Sequence, residues 1–302
     1  MNNNQKIDEF SRRNPIVTLF FFVITLTMTL WILHPLGVFL SLAMAFLYLS
    51  SLQGIRKVLK KSAFLLPVVF VAILINPLFS HAGTTILWYF PNGNPLTLES
   101  ILYGLYTGGM LLAVMLWFGC FHQIMTTDKF VYLFGKITPS LSLLLSMSLR
   151  FIPRFIAQLK EITVAQKSIG VEITIGNVRN RMKNMVKIVS VLITWSLENA
   201  IDTADSMKSR GYGVGKRTSF HIFEIEQRDK FCLLLLSGLL VYSILNIVMN
   251  VFYFRYFPML QVGVFNVKST FGWFGYGCLL GFPLLLNLQE AYVWRQKKAI
   301  SK

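Results

Sequence analysis

Three carboxylates, Glu198, Asp202 and Asp205, recur at i, i+4 and i+7. That spacing puts them on one face of a helix. The same stretch ends in Lys208, Ser209, Arg210 and Gly211. Positive charge suits the last turn of a helix, and glycine suits the residue just past it, because it accepts a left-handed backbone. The chemistry on offer is ion pairing at a helix end. One reading is a solvated helix that stops in the ordinary way. The other is a helix tip that presses on a partner protein. For the carboxylates, ion pairs with bases of a neighbouring helix such as Arg179, Arg181 or Lys183 and simple hydration stand as equal alternatives.

Catalytic constellations are not legible. The histidines His34, His81, His122 and His221 each fall at the end of an apolar run or in a loop, and no two of them converge in the sequence. The paired-histidine helix of a zinc protease and the glycine-rich phosphate loop are both missing, so no ATP site of that loop type is expected. The three cysteines, Cys120, Cys232 and Cys278, lie in or beside apolar runs and read as small buried hydrophobes. No metal site and no catalytic residue is assigned.

The elements that must position such a helix tip are membrane spans. Of the 302 residues 54% are hydrophobic and only 14% charged, against about a quarter charged in a soluble domain. The fold class expected is an all-α polytopic membrane protein. About six spans are read: Pro15–Leu33, Leu36–Leu52, Ala63–Phe79, Ile101–Phe121, Phe231–Phe254 and Phe271–Leu288. The first has no small-residue cleavage signal and reads as an uncleaved span. A basic loop with Arg56, Lys57, Lys60 and Lys61 separates the second and third spans. A turn cluster, Pro91–Pro95, lies before the fourth. The chain divides into N-terminal membrane helices (1–121), a polar coupling segment (122–230) and C-terminal membrane helices (231–302).

With six spans, 27 of the 29 Lys and Arg residues fall on one side; only Arg255 and Lys268 fall on the other. The positive-inside rule then places both termini and the 122–230 segment in the cytoplasm. The net charge of +16 is accounted for by that topology, and a nucleic-acid role is set aside for want of a soluble basic domain. Within the polar segment, Leu141–Leu149 and Ile188–Leu197 are apolar; interfacial packing, a re-entrant pair and extra spans all fit them. The spans carry no ionisable residue near their centres, which argues against ion-coupled transport by this chain alone. Glycines cluster in the fourth and sixth spans, and suit either close packing within the chain or contact with another membrane protein.

A short repeat links two positions. Lys167-Ser168-Ile169-Gly170 matches Lys208-Ser209-Arg210-Gly211 at an offset of 41 residues. With Leu149-Arg-Phe-Ile-Pro153, Ala165–Gly170 and Ala200-x-x-x-Ala204-x-x-Met207-x-x-Arg210-Gly211-Tyr212, the sequence resembles the transmembrane T component of energy-coupling factor (ECF) transporters, the family that includes the cobalt-transport Q-type permeases. The resemblance implies a non-enzymatic coupling subunit of an ATP-driven importer in a prokaryotic cell membrane. It implies two ABC-type ATPase partners and a small membrane-embedded subunit that captures a vitamin or metal ion. ATP and its magnesium would be held by those ATPases, with no cofactor on this chain. Ser209, Arg210 and Gly211 would form one ATPase-coupling tip, and Ser168, Ile169 and Gly170 the other, with Ile169 standing where the family has arginine. The competing reading is an integral membrane enzyme with a cytoplasmic helical site.

Overall fold

The computed structural model describes residues 8–89, 91, 93–137, 139–171, 177–215, 225–263 and 267–300; His221, Asn92 and Thr138 lie outside them. The elements in chain order are α1 (Glu9–Arg12), α2 (Pro15–Trp31), α3 (Pro35–Gln53), α4 (Ile55–Phe79), β1 (Ile86–Tyr89), β2 (Pro95–Thr97), α5 (Leu98–Ile124), α6 (Thr127–Ile137), α7 (Pro139–Ser168), α8 (Val178–Ser209), α9 (Gln227–Val248), β3 (Phe254–Arg255), β4 (Gln261–Val262) and α10 (Val267–Ile300). The chain forms two compact units, one of Met1–Lys129 with Phe223–Lys302 and one of Phe130–Ile222.

Helices α3, α4, α5, α9 and α10 are long and apolar enough to cross a bilayer; α2, at 17 residues, is shorter. It spans about 26 Å at 1.5 Å per residue. Its start and the start of α3 follow one recipe: proline at the first helical position, with a side chain capping the amide after it. Asn14 Oδ1 accepts from Ile16 N at 3.0 Å, and His34 Nδ1 accepts from Leu36 N at 3.2 Å. Proline suits that position because its missing N–H has no intrahelical partner there. Pro35 also biases the residue before it towards extended backbone. Accordingly α2 stops at Trp31, before the expected boundary at Leu33.

The first unit packs around aromatic rings. Phe10, in α1, is fully buried and meets Phe21 edge-on at 5.2 Å between centroids. Phe21 in turn meets Trp117 at 5.8 Å. A polar thread crosses the same bundle: Trp117 Nε1 donates to Ser41 Oγ at 3.0 Å, and Ser41 pairs with Thr29 at 2.9 Å. Such interhelical bonds contribute about 0.6 kcal/mol each in a membrane. The N-terminal segment is tied down by polar contacts as well. Tyr48 donates to Asp8 at 2.8 Å, Asn287 Nδ2 also donates to Asp8, and Arg13 lies 3.6 Å from Asp229.

Close approach explains part of the glycine clustering. A Cβ on Gly104 would come within 2.5 Å of the Ile73 carbonyl oxygen, and one on Gly275 within 2.4 Å of the Tyr242 ring. These positions serve packing of α4 on α5 and of α9 on α10, within the chain.

Several expected boundaries move. The basic stretch 53–62 is not a loop beyond Gly54: α4 begins at Ile55 and carries Arg56, Lys57, Lys60 and Lys61 in its first two turns. Lysine and arginine are good helix formers, and nothing between Gly54 and Pro67 interrupts them. The fifth span ends at Val248 and does not reach Phe254. Asn250 takes φ +56°; its N–H bonds the Ile247 carbonyl, and the Val251 N–H bonds the Asn246 carbonyl, the pairing of a left-handed helix stop. Two hairpins, β1–β2 and β3–β4, follow α4 and α9. The first folds against Glu99, which is buried at the start of α5 and whose Oε1 accepts from Thr84 N, Thr84 Oγ1 and Thr85 N at 3.2–3.3 Å.

Candidate functional site

The second unit holds most of α6 and two long helices. α7 has 30 residues and α8 has 32. The apolar stretches at 141–149 and 188–197 are segments of these continuous helices. They meet through Phe155 on Trp195, with ring centroids 5.7 Å apart; Ile162 on α7 and Ile188 on α8 are both buried. Pro153 sits inside α7.

Both helices end in the same way. At the end of α8, Arg210 is the terminal cap residue and Gly211 has φ +80°. The Gly211 N–H bonds the Lys208 carbonyl at 2.9 Å, and the Tyr212 N–H bonds the Met207 carbonyl at 3.1 Å. At the end of α7, Gly170 has φ +82°. The Gly170 N–H bonds the Lys167 carbonyl at 3.1 Å, and the Val171 N–H bonds the Gln166 carbonyl at 2.9 Å. Each pair is the 5→2 and 6→1 pattern of a Schellman stop. The two serines also match: Ser209 Oγ donates to the Ser206 carbonyl at 2.9 Å, and Ser168 Oγ to the Ala165 carbonyl at 2.7 Å. The four-residue repeat is therefore one backbone device used twice.

A Cβ at Gly170 or Gly211 would meet nothing within 4 Å. Glycine is needed there for its backbone conformation and not for room. Ser168, Ile169, Gly170, Ser209, Arg210 and Gly211 are all exposed. Ile169 is 70% exposed. What differs between the tips is the cap side chain, a guanidinium at 210 and a branched alkyl group at 169.

Glu198, Asp202 and Asp205 lie on α8 and are exposed, and none of them makes an ion pair among the described residues. The bases suggested by the sequence are on the wrong element. Arg179, Arg181 and Lys183 occupy the first turns of α8 itself. Arg179 and Glu198 are 19 residues apart on one rod, about 28 Å at 1.5 Å per residue. They cannot pair within the helix, because side chains interact at three or four residues.

A further surface escapes sequence inspection. Met182, Val186, Ile193, Leu197 and Ile201 are each more than half exposed and recur at helical spacing along one side of α8, a stripe that borders the carboxylate face at Ile201. The signal is there, as apolar positions three and four apart. It reads as apolar bulk unless the helix start at Val178 is recognised. Among the described residues no group of three or more His, Cys, Asp or Glu is placed to hold a metal ion.

Comparison with known proteins adds an independent line. The family model described as CbiQ, cobalt transport protein, matches residues 4–222. The chain is 31% identical over 188 residues to the energy-coupling factor transporter transmembrane protein EcfT of Staphylococcus aureus, covering 56% of this chain and 68% of that one. It is 26% identical over 223 residues to EcfT of Exiguobacterium sibiricum, covering 67% and 81%. Against EcfT of Listeria innocua it is 41% identical over 105 residues, which cover 33% of this chain and 39% of the other.

Proposed function

Because the chain belongs to the CbiQ family of cobalt transport proteins and is the transmembrane T component of an ECF transporter, we propose that its work is mechanical coupling. Two cytoplasmic ATPases each receive one helix tip, Ser209-Arg210-Gly211 or Ser168-Ile169-Gly170. The membrane unit meanwhile holds a small substrate-binding subunit that captures a vitamin or metal ion. ATP and magnesium are bound by the ATPases, and this chain carries out no catalysis itself. Its N- and C-termini and the 130–222 unit lie in the cytoplasm of a prokaryotic cell.

The observation that carries this reading is the pair of matching, exposed Schellman stops at the ends of α7 and α8. A stop of this kind is rigid, because it satisfies the carbonyls of the last turn. It therefore fixes where the backbone of the cap residue ends. Two rigid tips suit two similar sockets. The uncovered apolar side of α8 supports a further contact with lipid or with the substrate-binding subunit. Family membership speaks against the membrane-enzyme reading.

The test is assembly and uptake. The chain is co-expressed with its cognate ATPases and a candidate binding subunit, purified through a tag on the T chain, and reconstituted in liposomes. Two ATPase chains or domains and one small membrane protein are expected in the complex, with uptake dependent on ATP. Hydrolysis by the isolated chain, with no ATPase retained in the complex, would contradict the proposal.

A further inference from the structure

A groove of about 1300 Å³ runs between α9 and α10 in the membrane unit, and its chemistry changes along its length. One end is polar, with Glu9, Arg13, Arg228 and Glu290 on its walls; the remainder is apolar, with Phe231, Leu234 and Leu285 among its lining. Phe231, Leu234 and Leu285 are more than half exposed, so the groove opens towards the hydrocarbon.

We propose that this groove binds a phospholipid whose headgroup carries both a phosphate and a primary ammonium. The depth points to a lipid. From Arg228 to Leu239, the last residue of α9 that lines the groove, is 11 residues, about 17 Å of helix. That is roughly half of a 30 Å hydrocarbon core, the depth of one leaflet. A helix of a partner protein would cross the whole core and call for a groove of that length.

The charges point to the headgroup. Four charged groups line the polar end, and two of them are already engaged: Glu9 with Arg12 at 3.1 Å and Arg13 with Asp229 at 3.6 Å. Arg228 is exposed and has no partner among the described residues. Glu290 Oε2 is out of contact with solvent and has no hydrogen-bond donor. A free guanidinium and an unsatisfied carboxylate oxygen therefore line the same polar mouth. A phosphate suits the first, through two parallel N–H···O bonds. An ammonium suits the second, and a quaternary ammonium, which has no N–H, does not.

Gly238 supplies a third observation. It lies in the interior of α9. It lines the groove, and a Cβ there would meet nothing within 4 Å. Contacts within the chain do not require it to be small. An acyl chain lying along α9 would occupy that open space, which a bulky side chain at 238 would fill.

The test uses the full chain in mild detergent. It is exchanged against palmitoyl-oleoyl phosphatidylethanolamine, phosphatidylcholine or phosphatidylglycerol and read by native mass spectrometry. One phosphatidylethanolamine should be retained, with the other two at least fivefold less. Glu290→Gln should bring phosphatidylethanolamine down to the level of phosphatidylcholine. Arg228→Gln should lower all three. Gly238→Phe, whose ring enters open space, should expel lipid altogether, while Gly238→Ala should not. Equal retention of the three lipids would overturn the proposal. So would retention undiminished in Gly238→Phe. Should Gly238→Phe fail to fold, Glu290→Gln decides on its own. The outcome is separate from ATPase docking, because the isolated T chain suffices.

Discussion

The end of α7 and the end of α8 have the same backbone and different chemistry. Both stop at a glycine with φ near +80°, and both make the same two carbonyl-capping bonds. One then presents Arg210, the other Ile169. The comparison separates two jobs that a single motif would confound. The Ser-x-Gly frame makes a helix end stiff and exposed, and the residue at x sets what that end can hold. In this chain one tip presents a guanidinium and the other a branched alkyl group.

The largest effect should come from removing the anchor. Arg210→Ala is expected to weaken ATPase binding by about 2–5 kcal/mol, the range for truncating one partner of a buried, hydrogen-bonded charge pair. That corresponds to roughly 30-fold or more in affinity. Ile169→Ala should cost less, about 1–2 kcal/mol for the apolar surface lost. Titration of each variant in nanodiscs with the purified ATPases checks the order. Equal losses, or the reverse order, would break the asymmetry, and a gain of binding in Ile169→Arg would sharpen it.

The next effect should be symmetric. Gly170→Ala and Gly211→Ala each force an L-residue into the left-handed region, at about 1–2 kcal/mol, and neither meets a steric obstacle. Hydrogen exchange at the amides of Gly170 and Val171, or of Gly211 and Tyr212, should accelerate by roughly 5- to 30-fold, to the same degree at both tips. A much larger response at one tip would mean that the frames are not equivalent.

The smallest effect should leave both tips untouched. His34 is buried against the Trp273 ring at 4.8 Å, and its Nδ1 caps α3. Burial lowers its pKa below the usual histidine value of 6.5. The unfolded chain therefore takes up the proton more readily than the folded one, and stability falls as pH drops through and below 6.5. Protonation also removes the capping acceptor, worth about 1 kcal/mol. Thermal unfolding in detergent from pH 8 to pH 5 should show the decline. His34→Asn should flatten it while keeping the cap, and exchange at the two tips should not follow pH in the same way.

Much of this architecture is legible in the amino-acid sequence. Unbroken apolar runs mark α2, α3, α5, α9 and α10, and the Lys-Ser-x-Gly repeat with its trailing glycine marks where α7 and α8 end. The rest is hidden for identifiable reasons. Lysines early in α4 resemble a loop only if charge is equated with a boundary, whereas their long side chains are compatible with helix. Asn250 ends α9 as Gly211 ends α8, but asparagine is a weaker marker of that conformation than glycine. The continuity of α8 from Val178 is masked by its change from basic to apolar to acidic segments, which makes Arg179 look like part of a separate helix. The α9–α10 groove cannot be read from sequence at all, because it depends on which faces of two helices are left uncovered.

The most direct test of the docking claim is site-specific photo-crosslinking in the assembled transporter, with a photoreactive residue at Ser209 in one preparation and at Ser168 in another. Both positions should yield covalent adducts with an ATPase subunit, and each adduct should map to a surface groove of that subunit. An intact complex whose adducts at both positions run only to lipid or back to this chain would contradict the account.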